Sequence, residues 1–481
     1  MAPIGSARED GPRTDRLRKR AILGIGLLLA LWSAVGTAQE WPGFRGRNGS
    51  AVSEAQNLPV RIDSERAVRW KVPVPFGRSS PILTDRAVVV TGSDADGLQV
   101  VALDRGTGER LWSRTLERAR VEAIHSANDS AAPTPTTDGR RIFAFFPELG
   151  LVGFDAEGEE LWRHPLGPFN NYYGMSSSPV LAGKTLLQLC DQQQGSYLLA
   201  LDATTGKQLW RVDRQRVVES FTTPVLYPAA APRSVIVSGS FFVHAYSIES
   251  GRELWHRSGF AYSPMPSPTV DADRLYVCSP DPPDFPMPEF DALLASEDED
   301  DDARLSPSEL EGSHLHFGWL DSDKDGFLVR AEYEFARAGM AAKDWGLVAL
   351  DLSKDGAAVE AWRLQRDIPL ISSPLLYRGL LYLVRDGGIL TTVDATSGEM
   401  RSRQRLPEGM GSCFASPVAA GGKVWCVTNA GRIFVLEAGD TPKVLATHDL
   451  GEECFATPAI GERSLYVRTT SAITCFGEEE R

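Results

Sequence analysis

The chain has 481 residues, 42% of them hydrophobic and 24% charged, which excludes a globally disordered protein and allows a large buried core. Its formal net charge of −14 argues against nucleic acid as a partner, because phosphate binding needs a basic face. Eleven Trp and 44 Gly suit many strands joined by tight turns.

Residues 1–38 read as a signal peptide. A basic run, "RLRKR" (16–20), precedes an apolar stretch, "AILGIGLLLALWSAV" (21–35), too short to span a bilayer comfortably. Gly36 and Ala38 offer small residues for cleavage after Ala38. Removal takes away six basic and three acidic residues and leaves the chain near −17. No later stretch is apolar enough to cross a membrane, so an exported protein, periplasmic or extracellular, is expected.

Beyond this segment one motif recurs: an apolar strand, an Asp, a Gly-containing turn, then a Trp. It ends at Trp112, Trp162, Trp210, Trp255 (with Ser247 in the Asp slot) and Trp362. Degenerate copies surround Asp394 and Glu437, and "AITCFG" closes the chain as a truncated copy. A small residue and a Pro precede each copy, at Pro81, Pro133 or Pro135, Pro179, Pro224, Pro268, Pro374, Pro417 and Pro458. Eight such marks, with a 43-residue spacing from Asp351 to Asp394 to Glu437, fit eight four-stranded propeller blades. The alternating strand buries one face, Asp and Thr hold the turn, Gly supplies positive φ, and Trp packs on the neighbouring blade. An orphan Trp strand around Trp70 precedes the first copy and can complete the last blade, so the ring closes without an open edge. The expected class is all-β, an eight-bladed propeller with a small α-helical insertion, arranged as 39–279, an insertion at 280–344, and 345–481.

The Asp-x-x-Thr-Gly-x-x-x-Trp repeats, the Ser-Pro strand starts and the opening "WPGFRG" (41–46) resemble bacterial PQQ-like β-propeller proteins. That resemblance implies fold rather than activity. The family includes quinoprotein dehydrogenases and the non-enzymatic propeller of the outer-membrane assembly machinery. The dehydrogenases use a vicinal cysteine pair against the quinone, and this chain has no Cys-Cys. PQQ is therefore not expected, and a binding or scaffolding role in the bacterial envelope is preferred to catalysis. The alternative is a quinone-dependent or other enzyme at the channel mouth. A monomer is expected; its partner is an envelope protein, a peptide or a glycan.

In a propeller the blade-to-blade connections gather around one mouth of the channel. Here they carry Arg78, His125, Asn128, Asp129, Asn171, Tyr172, Tyr173, Glu219 and Tyr262, a candidate ligand site on a rigid scaffold. Phe221, Phe414 and Phe455 lie in such connections too. His125, followed by Asn128 and Asp129, is a general-base candidate or a hydrogen-bonded loop histidine. The six cysteines read as buried thiols, with one pairing left open between Cys413 and Cys454, which hold equivalent places in "CFASP" and "CFATP".

The insertion separates "RLYVC" (274–278) from "WGLVALD" (345–351), and residues 280–345 hold 18 acidic and five basic groups. Within it, "DSDKDGFLVRAE" has calcium-loop spacing. Asp321, Asp323 and Asp325 take positions 1, 3 and 5, Gly326 makes the turn, Phe327 offers its carbonyl and Glu332 takes position 12. A first loop places Asp298, Asp300, Asp302, Ser306 and Glu309 at positions 1, 3, 5, 9 and 12, with the Arg304 carbonyl at 7 and Ala303 in place of Gly. Leu305 and Leu328 both take position 8, where paired EF-hand loops, which these resemble, meet. Ca2+ is the expected cofactor. The insertion occupies a connection between strands two and three of a blade, which places it on the face of the blade-to-blade loops.

Overall fold

The computed structural model describes residues 41–62, 67–280, 287–312, 315, 317–321, 325–341, 344–353, 358–407 and 411–477. The signal-peptide reading of 1–38 and the ligand Asp323 lie outside these residues.

The repeat folds as eight four-stranded antiparallel sheets. The first seven cover residues 82–116, 136–165, 180–213, 225–258, 269–364, 375–405 and 418–449. The eighth joins three C-terminal strands to the orphan Trp strand, Val68–Pro73, which pairs antiparallel with Ala472–Gly477. Chain ends thus lock together in one blade, and the ring has no unpaired seam.

Each element of the motif has a packing role. The Asp202 carboxylate accepts the Thr204 and Thr205 N–H groups at 3.0 and 2.8 Å, which fixes the turn. That turn brings Gly206 to φ 69°, under the Trp162 indole of the preceding blade, where a Cβ would lie 2.5 Å from the ring. The indole N–H then donates to the Ala203 carbonyl at 3.0 Å. Trp70, Trp112, Trp210 and Trp362 repeat this bond to Arg105, Ala156, Ile248 and Ala395 of the following blades. One difference from the sequence reading is physical. Middle strands such as Ile142–Phe146 and Gly150–Phe154 are buried at every residue, because a blade is covered by neighbours on both faces.

The insertion interrupts the fifth blade between Arg274–Ser279 and Gly346–Asp351, which remain paired. It contains helices α1 (Phe290–Glu297), α2 (Phe317–Leu320) and α3 (Arg330–Met340). Phe290, Leu293, Leu305, Leu310, Leu328 and Tyr333 form a core of its own. No helix among the described residues is long and apolar enough to cross a membrane.

Candidate functional site

The residue before each blade proline builds the waist of the channel. The Ser80 N–H donates to Thr134 Oγ1, Thr134 to Ser178 Oγ, Ser178 to Thr223 Oγ1 and Thr223 to Ser267 Oγ, at 2.9 to 3.1 Å. Ser267, Ser373, Ser416 and Thr457 continue it, and Thr457 returns to Ser80 Oγ, at 3.0 to 3.1 Å. Eight backbone-to-hydroxyl bonds therefore close a ring, one hydroxyl per blade. The ring selects Pro135 over Pro133, since Thr136 opens the second blade.

The far end of the channel is closed by the opening segment. Leu83 and Thr137 donate their N–H groups to the Trp41 and Pro42 carbonyls at 2.9 and 2.8 Å. Asn48 pairs with both backbone groups of Leu226, and Ser53 donates to the Ala419 carbonyl. These partners are the distal ends of first strands from four blades. The result is a blind cup of about 350 Å³. Its floor includes Phe44, its waist is the hydroxyl ring, and its upper wall is Tyr173, Phe221, Met265, Leu370, Ile371, Phe414 and Phe455.

Of the predicted mouth residues, Arg78, Asn128 and Tyr173 line this cup. Arg78 lies over the Phe455 ring, 4.6 Å from its centroid, and donates to the Asn128 carbonyl at 2.5 Å. Asn128 ties two loops together through the Tyr173 and Gly174 carbonyls. The others stand behind the wall or at the rim. Buried Asp129 accepts the Ala131 N–H at 2.7 Å and lies 3.7 Å from Arg78; burial raises its pKa. Asn171 donates to the Asp191 carbonyl. His125 accepts the Ala127 N–H on Nδ1 and packs against Tyr172 and Tyr173, the arrangement of a hydrogen-bonded loop histidine. Buried Glu219 is a hub: it accepts the Tyr262 hydroxyl at 2.7 Å and the Tyr172 N–H at 3.1 Å. Sequence reading missed Phe44, Met265, Leu370, Ile371 and the hydroxyl ring. For the ring the signal was present, as a Ser or Thr before each of the eight prolines.

The insertion stands on the mouth face. Phe335 of α3 packs against Phe241 and Phe242, with ring centroids 5.6 and 6.0 Å away. Val217, Val218 and Tyr262 complete that cluster, and Gln194 donates to the Asp321 carbonyl at 2.6 Å. The contact runs from α3 through Tyr262 to Glu219 and Tyr172.

The two acidic loops share one hydrogen-bond pattern. Asp298 accepts the Ala303 N–H at 3.0 Å, as Asp321 accepts that of Gly326 at 3.2 Å. Asp302 and Asp325 accept from Arg304 and Phe327, each at 2.8 Å. Glu309 accepts from Ser306 at 2.6 Å and Glu332 from Val329 at 3.2 Å. Ala303 adopts φ 65°, matching Gly326 at φ 89°. Leu305 and Leu328 exchange both backbone bonds at 3.1 and 2.8 Å. Carboxylate oxygens of Asp298, Asp300 and Asp302 lie within 4.8 Å of one another, a spacing at which like charges repel and a hard cation can be chelated.

All six cysteines are free and buried. Cys413 and Cys454 are not bridged; the Cys454 thiol donates to the Arg468 carbonyl at 3.0 Å. Burial pushes both thiols up to about 12.

Residues 30–195 and 194–293 match the family model described as outer membrane protein assembly factor BamB, more than half of the chain. The chain belongs to that family. It is 26% identical over 283 residues to a polyvinylalcohol dehydrogenase of Sphingopyxis sp. (strain 113P3), covering 54% of this chain and 38% of that protein. It is 28% identical over 198 residues to BamB of Burkholderia pseudomallei (strain K96243), covering 39% of this chain and 46% of that one. These matches thus span less than half the length of either relative. The solved quinohemoprotein alcohol dehydrogenase of Comamonas testosteroni superposes with a TM-score of 0.59 at 12% identity, over 93% of this chain and 82% of that one, a likeness of fold.

Proposed function

We propose that this chain is an exported, calcium-binding propeller that acts as a binding or scaffolding protein in the bacterial envelope. One observation carries the calcium reading: two loops of matching hydrogen-bond pattern joined back to back through Leu305 and Leu328. In this reading they are an EF-hand pair, and Ca2+ neutralises the acidic lobe and fixes α3 against the mouth. The BamB relative and the expected signal peptide support an envelope setting.

The cup supports binding of a partner with an apolar or aromatic anchor. Aromatic and aliphatic walls above a hydroxyl waist suit such a group. Among the described residues Arg78 is the one charged side chain of the lining, and no carboxylate or histidine lines it. A quinone cofactor bearing several carboxylates needs several cations, which this lining does not offer, so the residues do not fit that group. Similarity to proteins named as alcohol dehydrogenases favours the second reading, an enzyme at the mouth.

Titration of the chelator-stripped full chain with calcium tests the proposal. Saturable binding with dissociation constants of about 10⁻⁴–10⁻³ M or tighter is expected, lost from the second loop in Asp321→Ala with Glu332→Ala. Absence of saturable binding up to about ten times the weaker of these values refutes it. Dye-linked dehydrogenase activity on adding quinone and calcium would move the reading to the enzyme.

A further inference from the structure

The ring hydroxyls have a bonding capacity that the fold leaves unused. Each Oγ accepts one backbone N–H of a neighbouring blade. None donates its O–H to a protein acceptor among the described residues. A Ser or Thr hydroxyl carries one donor besides its lone pairs, so one O–H per blade remains to be satisfied. All eight residues line the cup, and each is 7% exposed or less. Leaving a buried polar group without a partner costs free energy. A circle of such donors at one level of a blind cavity is a seat for a group that accepts hydrogen bonds.

The charge beside the ring has one sign in excess. Fully buried Arg468 stands behind it and donates to the Ser79 and Pro75 carbonyls at 3.0 and 3.1 Å. Arg78 lines the cup. The Asp129 carboxylate faces both guanidinium groups, at 3.7 Å from Arg78. No other carboxylate lies within ion-pair distance of either among the described residues. Two cations share one anion, so one positive charge is left uncompensated.

Above the waist stand the rings of Tyr173, Phe221, Phe414 and Phe455, which leave an inorganic ion nothing to cover them. The cup's volume of about 350 Å³ equals that of roughly twelve waters at about 30 Å³ each, so a molecule of about ten non-hydrogen atoms fills it. A carboxylate is acceptor-only and carries a single charge, whereas a phosphate monoester carries nearly two. On the reading of the cup as a site for an apolar anchor, we propose that it binds a small organic monocarboxylate, its carboxylate within the hydroxyl ring and its apolar body between the aromatic walls. Arg468 acts on the bound charge through its field rather than by contact.

Calorimetric titration of the full chain with octanoate and with octanamide, its uncharged isostere, tests this. Octanoate should occupy one saturable site and bind about tenfold more tightly than octanamide, because hydrogen bonds to a charged acceptor are the stronger ones. Arg78→Met should reduce that preference roughly threefold or more, and Thr134→Val, which removes one ring hydroxyl, should weaken octanoate. Arg211→Met, at an exposed position on an outer strand, should change neither. Crystals soaked in 8-bromooctanoate should show the bromine among the aromatic rings and not at the waist. If the site variants do not fold, the wild-type preference and the bromine position decide. Equal affinity for octanamide overturns the carboxylate assignment and leaves the apolar anchor standing, whereas binding of neither probe overturns both. A bromine peak at the hydroxyl ring also refutes the assignment.

Discussion

Asp191→Asn should be among the most destabilising conservative substitutions in this chain. Asp191 and Arg214 are both fully buried. The carboxylate takes the Arg214 Nε–H on one oxygen at 2.8 Å, and on the other a terminal N–H at 3.2 Å and the Ser220 hydroxyl at 2.7 Å. Asparagine keeps the shape but replaces one acceptor oxygen with an NH2 group, so in either orientation a donor faces a donor. The guanidinium charge also stays buried without its partner. Breaking such a pair costs about 3–5 kcal/mol, a large part of the roughly 5–15 kcal/mol that holds a domain folded. The exposed Arg211–Asp213 pair, at 3.0 Å with the side chains 44% and 66% exposed, is the control, and Asp213→Asn should cost at most about 1 kcal/mol. Urea denaturation with an unchanged m value measures both. Removing both partners, as Asp191→Leu with Arg214→Met, should cost less than Asp191→Asn because no charge is stranded. A loss under about 1 kcal/mol for Asp191→Asn, or one no larger than for Asp213→Asn, would refute the reasoning.

Gly206→Ala must hold alanine at φ 69° with its Cβ 2.5 Å from the Trp162 ring, so a cost of roughly 2–5 kcal/mol is expected from backbone and overpacking together. Gly183→Ala, at φ 62° with nothing within 4 Å, should cost only about 1–2 kcal/mol; equal midpoints in urea would contradict the packing account. Burial first, then the nearby Arg214 and His256 charges, lower His244 to about 2. The unfolded chain therefore binds a proton below about pH 6.5 that the folded chain refuses. Stability contributed by neutral His244 is full above that pH and falls below it, by up to about 1.4 kcal/mol per pH unit, and His244→Gln should flatten the slope between pH 6.5 and 5 in thermal melts. Phe335→Ala should speed amide exchange at Phe241, whose N–H donates to Ala261, by about tenfold, the equivalent of about 1.4 kcal/mol for the lost ring contacts. Val88–Val90 in the first blade should not change, and a uniform effect would show that the lobe is not docked through that ring.

Blade number, the four-strand period and the closing partner of Trp70 were all legible in the chain, because each is set by local chemistry. An Asp and a Gly make a turn wherever they stand in this order, and the Trp that follows the Gly, as Trp210 follows Gly206, can reach only the next blade. The pairing of the two acidic loops through Leu305 and Leu328 was legible for the same reason, since each loop's register is a property of a dozen consecutive residues. What the repeat could not reveal was which atoms converge on the axis. The hydroxyl ring joins residues 41 to 377 positions apart in sequence, each bond crossing between blades, so its closure exists only once eight copies are curved into a circle. His125, Asn171 and Glu219 stand in the same set of blade-to-blade connections as Arg78 and Tyr173, and only the tertiary packing turned the first three to support the wall and the last two to line it. The short "WPGFRG" segment looked like a mark of kinship. Folded, it closes the channel and buries Arg45 there, because a single arm crossing the far face meets the strand ends of blades that lie hundreds of residues apart.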